Sequence, residues 1–279
     1  MVKSILINSV LNLTQENGYY LQEVKSLGYS TKYTFSDILQ KHGAKIGNVL
    51  FKNKAFSITL LVVGTSFADL VAKRSALFQY LTIKPYATDD KIDFEFTLLN
   101  DQVVTMAGVV KDVNTDFSNE NLLVAPINFV IETEYPFLVS KAEYQQIINI
   151  AVGGGGEVPM TVPLDLTGGA STPTNLINGG NVFAYPVIRL YGQLTNPVVT
   201  DTVNNITMSI AGTIATADYY EIDTYERTVV DSAGANKLNE LTDNFLFLMV
   251  GDNYLQLLSD DGGDDGYLEV TWKYHYVSV

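Results

Sequence analysis

Between residues 268 and 276 every second side chain is apolar or aromatic. Leu268, Val270, Trp272, Tyr274 and Tyr276 fall on one side, and Glu269, Thr271, Lys273 and His275 on the other. A period of two is the mark of a strand with one face on a core and the other in water. The pattern returns at 91–99, where Ile92, Phe94, Phe96 and Leu98 alternate with Lys91, Asp93, Glu95 and Thr97. Asn100-Asp101 then supplies a turn, and 102–112 reads as the hairpin partner. Another apolar run covers 122–133, with Pro126 implying an edge or a bulge. Further short strands are expected at 146–152, 182–191, 206–212, 219–224, 227–231, 245–250 and 254–258, separated by Gly, Asn and Asp. This spacing indicates an antiparallel sandwich.

One segment breaks the rhythm. Ile58, Leu60, Leu61, Val62 and Val63 form a strand-like run that Gly64-Thr65 ends. Ser66, with Asp69 three residues on, makes a capping-box-like helix start, the Asp standing in for Glu or Gln. Phe67, Leu70, Val71, Leu77, Phe78 and Leu81 follow at helical spacing, and Pro85 comes after the end. The fold class expected is therefore mainly β with one clear α-helix.

Length and charge divide the chain. Its 279 residues, 47% of them hydrophobic, suffice for about two cores. Residues 151–180 hold eight of the 21 Gly and three of the eight Pro, including the run Gly153 to Gly156, which no regular element holds cheaply. A hinge is expected over 151–180, between domains 1–145 and 146–279. Residues 1–152 carry 13 basic and 15 acidic side chains, whereas 153–279 carry 4 and 16. Two bodies with different surroundings would have such a difference. No internal repeat of 20–50 residues is present.

Chemical signals are sparse. With no cysteine, disulfides, thiolate catalysis and Cys-ligated metals are excluded, and two histidines leave little for a His-rich centre. His42 lies in a turn or at a short-helix end, and His275 falls on the expected wet face of the last strand; neither adjoins a nucleophile motif. Gly156 is followed by Glu157-Val158, so the glycine run is neither a P-loop nor a dinucleotide fingerprint. In 259–266 the acids Asp260, Asp261, Asp264 and Asp265 suggest a solvated hairpin turn or a calcium loop. It is no EF-hand, since one starting at Asp261 needs an acid where Trp272 stands. The net charge of −14 disfavours a non-specific hold on nucleic acid or on anionic membranes. The stretch 55–72 is too polar to span a bilayer, and no signal-peptide core is seen at the N-terminus, so a soluble product is expected. On these grounds the chain reads as a two-domain, mainly β binding or assembly protein.

The order of features adds a resemblance. In the first half it lies in the strand–helix unit 58–81, the paired strands around Asn100-Asp101, and the exit Ile131-Glu132-Thr133-Glu134-Tyr135-Pro136-Phe137. In the second half it lies in Ile188-Arg189-Leu190-Tyr191-Gly192, Asn196-Pro197, Ile206-Thr207-Met208-Ser209-Ile210, Tyr220-Glu221-Ile222-Asp223-Thr224 and Phe247-Leu248-Met249-Val250-Gly251-Asp252-Asn253. Taken together the chain resembles the distal tail proteins of long-tailed bacteriophages (siphophages), although Val250 stands where the family often has proline. The resemblance implies an N-terminal domain that closes a hexameric ring next to the tail tube, and a C-terminal galectin-like β-sandwich. It also implies a virion protein at the tail tip, assembled in the host cytoplasm. The implied partners are further copies of the chain, the tail tube protein, a tail-associated lysin or spike, and receptor-binding proteins, with no specific nucleic acid and no membrane.

A structural protein is thus expected, not an enzyme, with no catalytic, cofactor-binding or metal residues. Two alternatives stay open. One is a carbohydrate-binding module or adhesin using the second domain's sandwich, for which exposed tyrosines and Arg189, Arg227, Lys237 and His275 are the candidate side chains. The other is a glycoside hydrolase, whose two acids need only meet in space.

Overall fold

In the computed structural model, which describes residues 2–26, 31–37, 44–82, 91–115, 123–150 and 169–277, the alternating segments are antiparallel strands. His42, Pro85, Gly153 to Gly156, Glu157 and Val158 lie outside the described residues. The chain divides into two compact units, Met1–Lys141 with Tyr276–Val279, and Ala142–His275.

The first unit begins with β1 (Val2–Ile7), β2 (Leu11–Leu13), β3 (Tyr19–Ser26), β4 (Thr31–Asp37), β5 (Ala44–Phe51) and β6 (Ala55–Val63). Helix α1 (Phe67–Leu81), β7 (Ile92–Leu98), β8 (Val103–Thr115), β9 (Val124–Thr133) and the start of β10 (Leu138–Asn149) follow. Apart from the separate β4–β5 ribbon, the pairing runs β2-β1-β7-β8-β9-β6-β3. The alternation at 91–99 is as expected: Ile92, Phe94, Phe96 and Leu98 are all buried. With Ile5, Ile7, Ile58, Leu60, Ile127, Phe129 and Ile131 they form an apolar interior. Each fully buried large side chain there contributes about 1.5–3 kcal/mol.

Strand β8 serves three neighbours, pairing with β7 through its first half, with β9 through its second, and with the start of β10 at Val104 and Thr105. The changeover is at Gly108, which is opposite both Ile92 and Thr133. A Cβ there would sit 2.7 Å from Ile131 Cγ2 and 2.8 Å from the Glu132 carbonyl oxygen, so only glycine lets the two strands approach. Pro126 does not make β9 an edge, because β6 and β8 flank that strand. Among the described residues the last β8 pair is Thr115 with Ile127, and Pro126 itself is opposite Leu61 of β6.

Helix α1 starts where the sequence indicates. The Ser66 hydroxyl accepts from Asp69 N at 3.2 Å, and the Asp69 carboxylate accepts from Thr65 N at 2.8 Å, one residue earlier than in a standard capping box. These bonds, the Thr65 amide foremost, hold the Asp69 carboxyl below its ordinary pKa. The buried stripe is narrower than expected. Leu70, Leu77 and Leu81 are buried, but Phe67 is 58% and Val71 42% exposed. At about 100° per residue the three leucines lie within roughly 20° of one line, while Phe67 and Val71 stand about 60° and 100° away from it.

The second unit is a sandwich. It comprises the rest of β10, then β11 (Gly169–Ala170), β12 (Thr174–Asn178), β13 (Val187–Tyr191), β14 (Leu194–Thr195), β15 (Val198–Asp201) and β16 (Ile206–Ser209). β17 (Thr213–Ile214), β18 (Tyr219–Asp223), β19 (Thr228–Asp231), β20 (Gly251–Ser259) and β21 (Tyr267–Tyr276) complete it. In one sheet β13 lies between β18 and β21, with β19 beyond β18. In the other, β15 lies between β16 and β20, and β11 and β12 pair with successive parts of β20. Ile188, Leu190, Ile222, Leu268 and Val270 from the first sheet share one core with Leu176, Val199, Met208, Leu255 and Leu257 from the second.

Two expectations need correction. The segment 245–250 is not a ladder strand: Leu246 and Leu248 are buried, but the only bridge it makes among the described residues joins Leu248 to Ala184. A side chain holds it instead. The fully buried Asn253 accepts from Met249 N at 2.7 Å and donates to the carbonyls of Met249, Gly251 and Leu176. Gly251, after Val250, has φ +92°, a turn conformation that glycine adopts without strain. The second correction concerns His275, which is 6% exposed and not on a wet face. Alternation holds along β21 as far as Lys273, and then the side expected to be wet is covered by Phe183 and Tyr185.

Candidate functional site

Where the sequence offered residues for chemistry, the structure finds them committed elsewhere. Burial is the main reason His275 has its pKa lowered to about 4, so its imidazole is neutral at pH 7. Its Nδ1 lies 3.3 Å from the Phe183 carbonyl oxygen. The acid-rich turn is only partly solvated. Asp264 is fully buried, accepting from Thr195 N at 2.6 Å and from the Ser259 hydroxyl, while its Oδ1 has no hydrogen-bond partner. Asp260 accepts from Asn196 Nδ2 at 2.8 Å, and Asp261 caps Gly263 N at 2.9 Å. These three acids bond to separate donors, and among the described residues no group of three acids or histidines is placed to hold a metal. No described helix is long and apolar enough to cross a membrane.

Of the four candidate cations for a sugar site, three are occupied or buried. Arg189 pairs with Glu221 at 2.7 Å and with Glu269 at 3.4 Å, Lys237 pairs with Glu240 at 3.0 Å, and His275 is covered. Arg227 is different. Among the described residues it forms no ion pair, although the unit around it is strongly acidic. It lines a cavity of about 510 Å³ with Phe183, Tyr185, Phe247, Asn205 and Asn244.

In the aromatic wall Phe183 meets Tyr185 and Phe247 edge to face, and Tyr185 is tilted against Tyr225. Phe183 lies 5.4 Å from Tyr185 and 5.9 Å from Phe247, and Tyr185 lies 5.4 Å from Tyr225, measured between ring centres. Burial pushes the Tyr185 hydroxyl pKa up, and the nearby Arg227 charge partly opposes that. Two turns bring the polar groups in. After β18, Asp223 caps the amides of Tyr225 and Glu226, each at 2.9 Å, and the buried Thr224 hydroxyl donates to the Pro186 carbonyl at 2.7 Å. Arg227 then takes φ +56° and leads into β19. After β15, the buried Asp201 accepts from Val203 N and Asn204 N, and Asn205 takes φ +54°. The sequence signals were the Asp223 and Asp201 turn starts; nothing local showed that both turns reach one cavity.

The first unit has a second cavity, of about 450 Å³, where Tyr135 and Phe137 of the proline-marked exit meet Phe94 and Met106. Phe137 is buried, with its ring centre 5.1 Å from Phe51 and 5.3 Å from Tyr135.

No known family model matches the sequence, and no curated protein matches it. Solved structures do. The crystal structure of the SPP1 Dit (gp 19.1) protein, described as a paradigm of the hub adsorption apparatus in phages infecting Gram-positive bacteria, matches with a TM-score of 0.61 at 13% identity. The match covers 98% of each chain. The chain shares its fold with SPP1 Dit. Chains of the phage P2 baseplate in its activated conformation, with Ca and with Sr, score lower, at 0.43 and 0.41 and 11% identity, over 97% of this chain and 98% of theirs. At 13% identity the likeness to SPP1 Dit is one of fold.

Proposed function

We propose that the chain is a structural protein of a phage tail: a distal tail protein whose first unit closes a hexameric ring and whose second unit is a galectin-like β-sandwich. The observation that carries this reading is the extent of the fold likeness, which takes in both units and leaves almost nothing of either chain unmatched. Two further features support it. The first unit exposes large apolar side chains, Phe67 and Val71 on α1 and Val10 and Leu99 at hairpin tips, which burial between copies would cover. Charge is concentrated in the second half, so a near-neutral first half packs against its own copies with little repulsion. In this role the ring joins the tail tube protein to a tail-associated lysin or spike and to receptor-binding proteins. It is a virion component with a binding role and not a catalytic one.

Mass measurement on the purified protein and imaging of tails test the reading. A closed ring of six copies, each of 30.7 kDa, located at the tail tip, is the expected result. A strictly monomeric protein at high concentration, absent from purified tails, overturns it.

A further inference from the structure

We propose that the cavity beside Arg227 binds an acidic saccharide, a sugar ring carrying a carboxylate. The chemistry follows from what is unpaired there. Among the described residues the Asn205 and Asn244 carboxamides, the Tyr185 hydroxyl and the Arg227 guanidinium make no hydrogen bond or ion pair with the chain. Four polar groups of three kinds thus surround planar aromatic faces in a space of a size usual for small-ligand sites.

Each kind has a distinct partner on a sugar acid. A carboxamide both donates and accepts, as a hydroxyl does, so two carboxamides suit a polyol better than they suit a purely apolar guest. The C–H face of a sugar ring lies against the Tyr185 and Phe247 rings. The guanidinium presents paired N–H donors to a carboxylate. No acidic side chain lines the cavity, although the sequence from Ala142 to His275 has 17 acidic residues and four basic ones. The other three cations are all ion-paired: Arg189, Lys237, and Lys273 with Glu143 at 3.5 Å. That surplus of acid disfavours nucleic acid as the guest.

Arg227 adopts a left-handed backbone conformation, which costs a non-glycine residue about 1 kcal/mol or more, and it follows the turn that Asp223 caps. Strain at a residue that lines a cavity is a reason to look for function there.

Titration of the full chain with sodium glucuronate, glucose, acetate and a Tyr-containing tripeptide, followed by NMR of the aromatic side chains, tests the proposal. Glucuronate is expected to shift the Tyr185 and Phe247 signals and to bind at least about tenfold more tightly than glucose. Arg227→Gln removes that preference, Asn244→Ala weakens both sugars, and Lys273→Gln changes neither; Trp272 fluorescence reports whether each variant is folded. Equal binding of glucuronate and glucose by the unaltered chain overturns the proposal. So does acetate binding as tightly as glucuronate, tighter binding of the tripeptide, or no shift with any sugar. None of these results bears on ring formation, which is read by mass.

Discussion

The two units solve the same packing problem with different means. In the first, the interior is filled almost wholly by alternating apolar residues, and the buried polar or charged side chains among the described residues are Lys54, Thr133 and Ser140. Lys54 stands out: burial lowers its pKa, its amine reaches the Val277 carbonyl oxygen, and it lies 5.1 Å from the Phe56 ring centre. In the second, Ser171, Asn178, Asp201, Thr224, Asn253, Ser259, Asp264 and His275 are all buried. Most of them tie loops: Asn178 bridges the Val182 and Leu248 carbonyls, Asp201 caps the turn after β15, and Asn253 holds 249–253. Short strands leave much backbone unpaired at their ends, and buried carboxamides and carboxylates satisfy it. The second unit therefore stakes more of its stability on single polar side chains.

The largest expected effect tests that contrast directly. Asn253→Ala removes the fully buried carboxamide that bonds the Met249 amide and the Met249, Gly251 and Leu176 carbonyls, and should cost the second unit about 2–4 kcal/mol. Trp272, the only tryptophan and 7% exposed in the second unit's core, reports the loss by fluorescence in urea. Hydrogen exchange of the β6 amides reports the first unit, which should be unchanged. If both units weaken together, they are not held by different means.

Acid is next. Folded, His275 stays neutral down to pH about 4, whereas its ordinary value is 6.5. Below 6.5 the unfolded chain therefore binds more protons than the folded one, and stability falls as pH drops. The contribution is intact above 6.5 and is lost down to about 4, by at most about 3 kcal/mol. His275→Asn should flatten this part of the Trp272 stability profile between pH 6.5 and 4. An unchanged slope would mean that the imidazole is not buried as the structure has it.

These two cases mark where the sequence could be read and where it could not. Period two found β7 and most of β21, because a strand with one dry face writes its burial into every second residue. It failed at His275, where the second face is covered by Phe183 and Tyr185, residues far away in the chain. It failed again at 245–250, whose apolar residues are buried without a ladder because Asn253 supplies the bonds. Asp264 looked solvated among its acidic neighbours, yet Thr195 N takes it inside. The cavity beside Arg227 was legible only as a short list of cations. Which of them lacked a partner is a matter of pairing in space.

The first unit has its own vulnerable point, in backbone and not in polar chemistry. Gly108→Ala places a methyl against Ile131 and the Glu132 carbonyl and should cost about 1–3 kcal/mol, seen as faster exchange of β8 and β9 amides with Trp272 fluorescence unmoved. Relief by Ile131→Val in the same chain would show that the clash is the cause, since Ile131 Cγ2 is the nearest atom at 2.7 Å.

The smallest effect sharpens the comparison most, because it asks whether a polar cap in the first unit behaves like those in the second. Ser66 and Asp69 sit at the exposed start of α1, where water can replace a lost bond. Ser66→Ala should therefore cost only about 1 kcal/mol, and Ser66→Asp, which keeps an acceptor at the cap, should recover most of it. Hydrogen exchange at Asp69 and Leu70, in the first turn of α1, measures the difference. A loss as large as that from Asn253→Ala would mean that the cap holds more than its helix, and that burial is not what separates the two sets of polar ties.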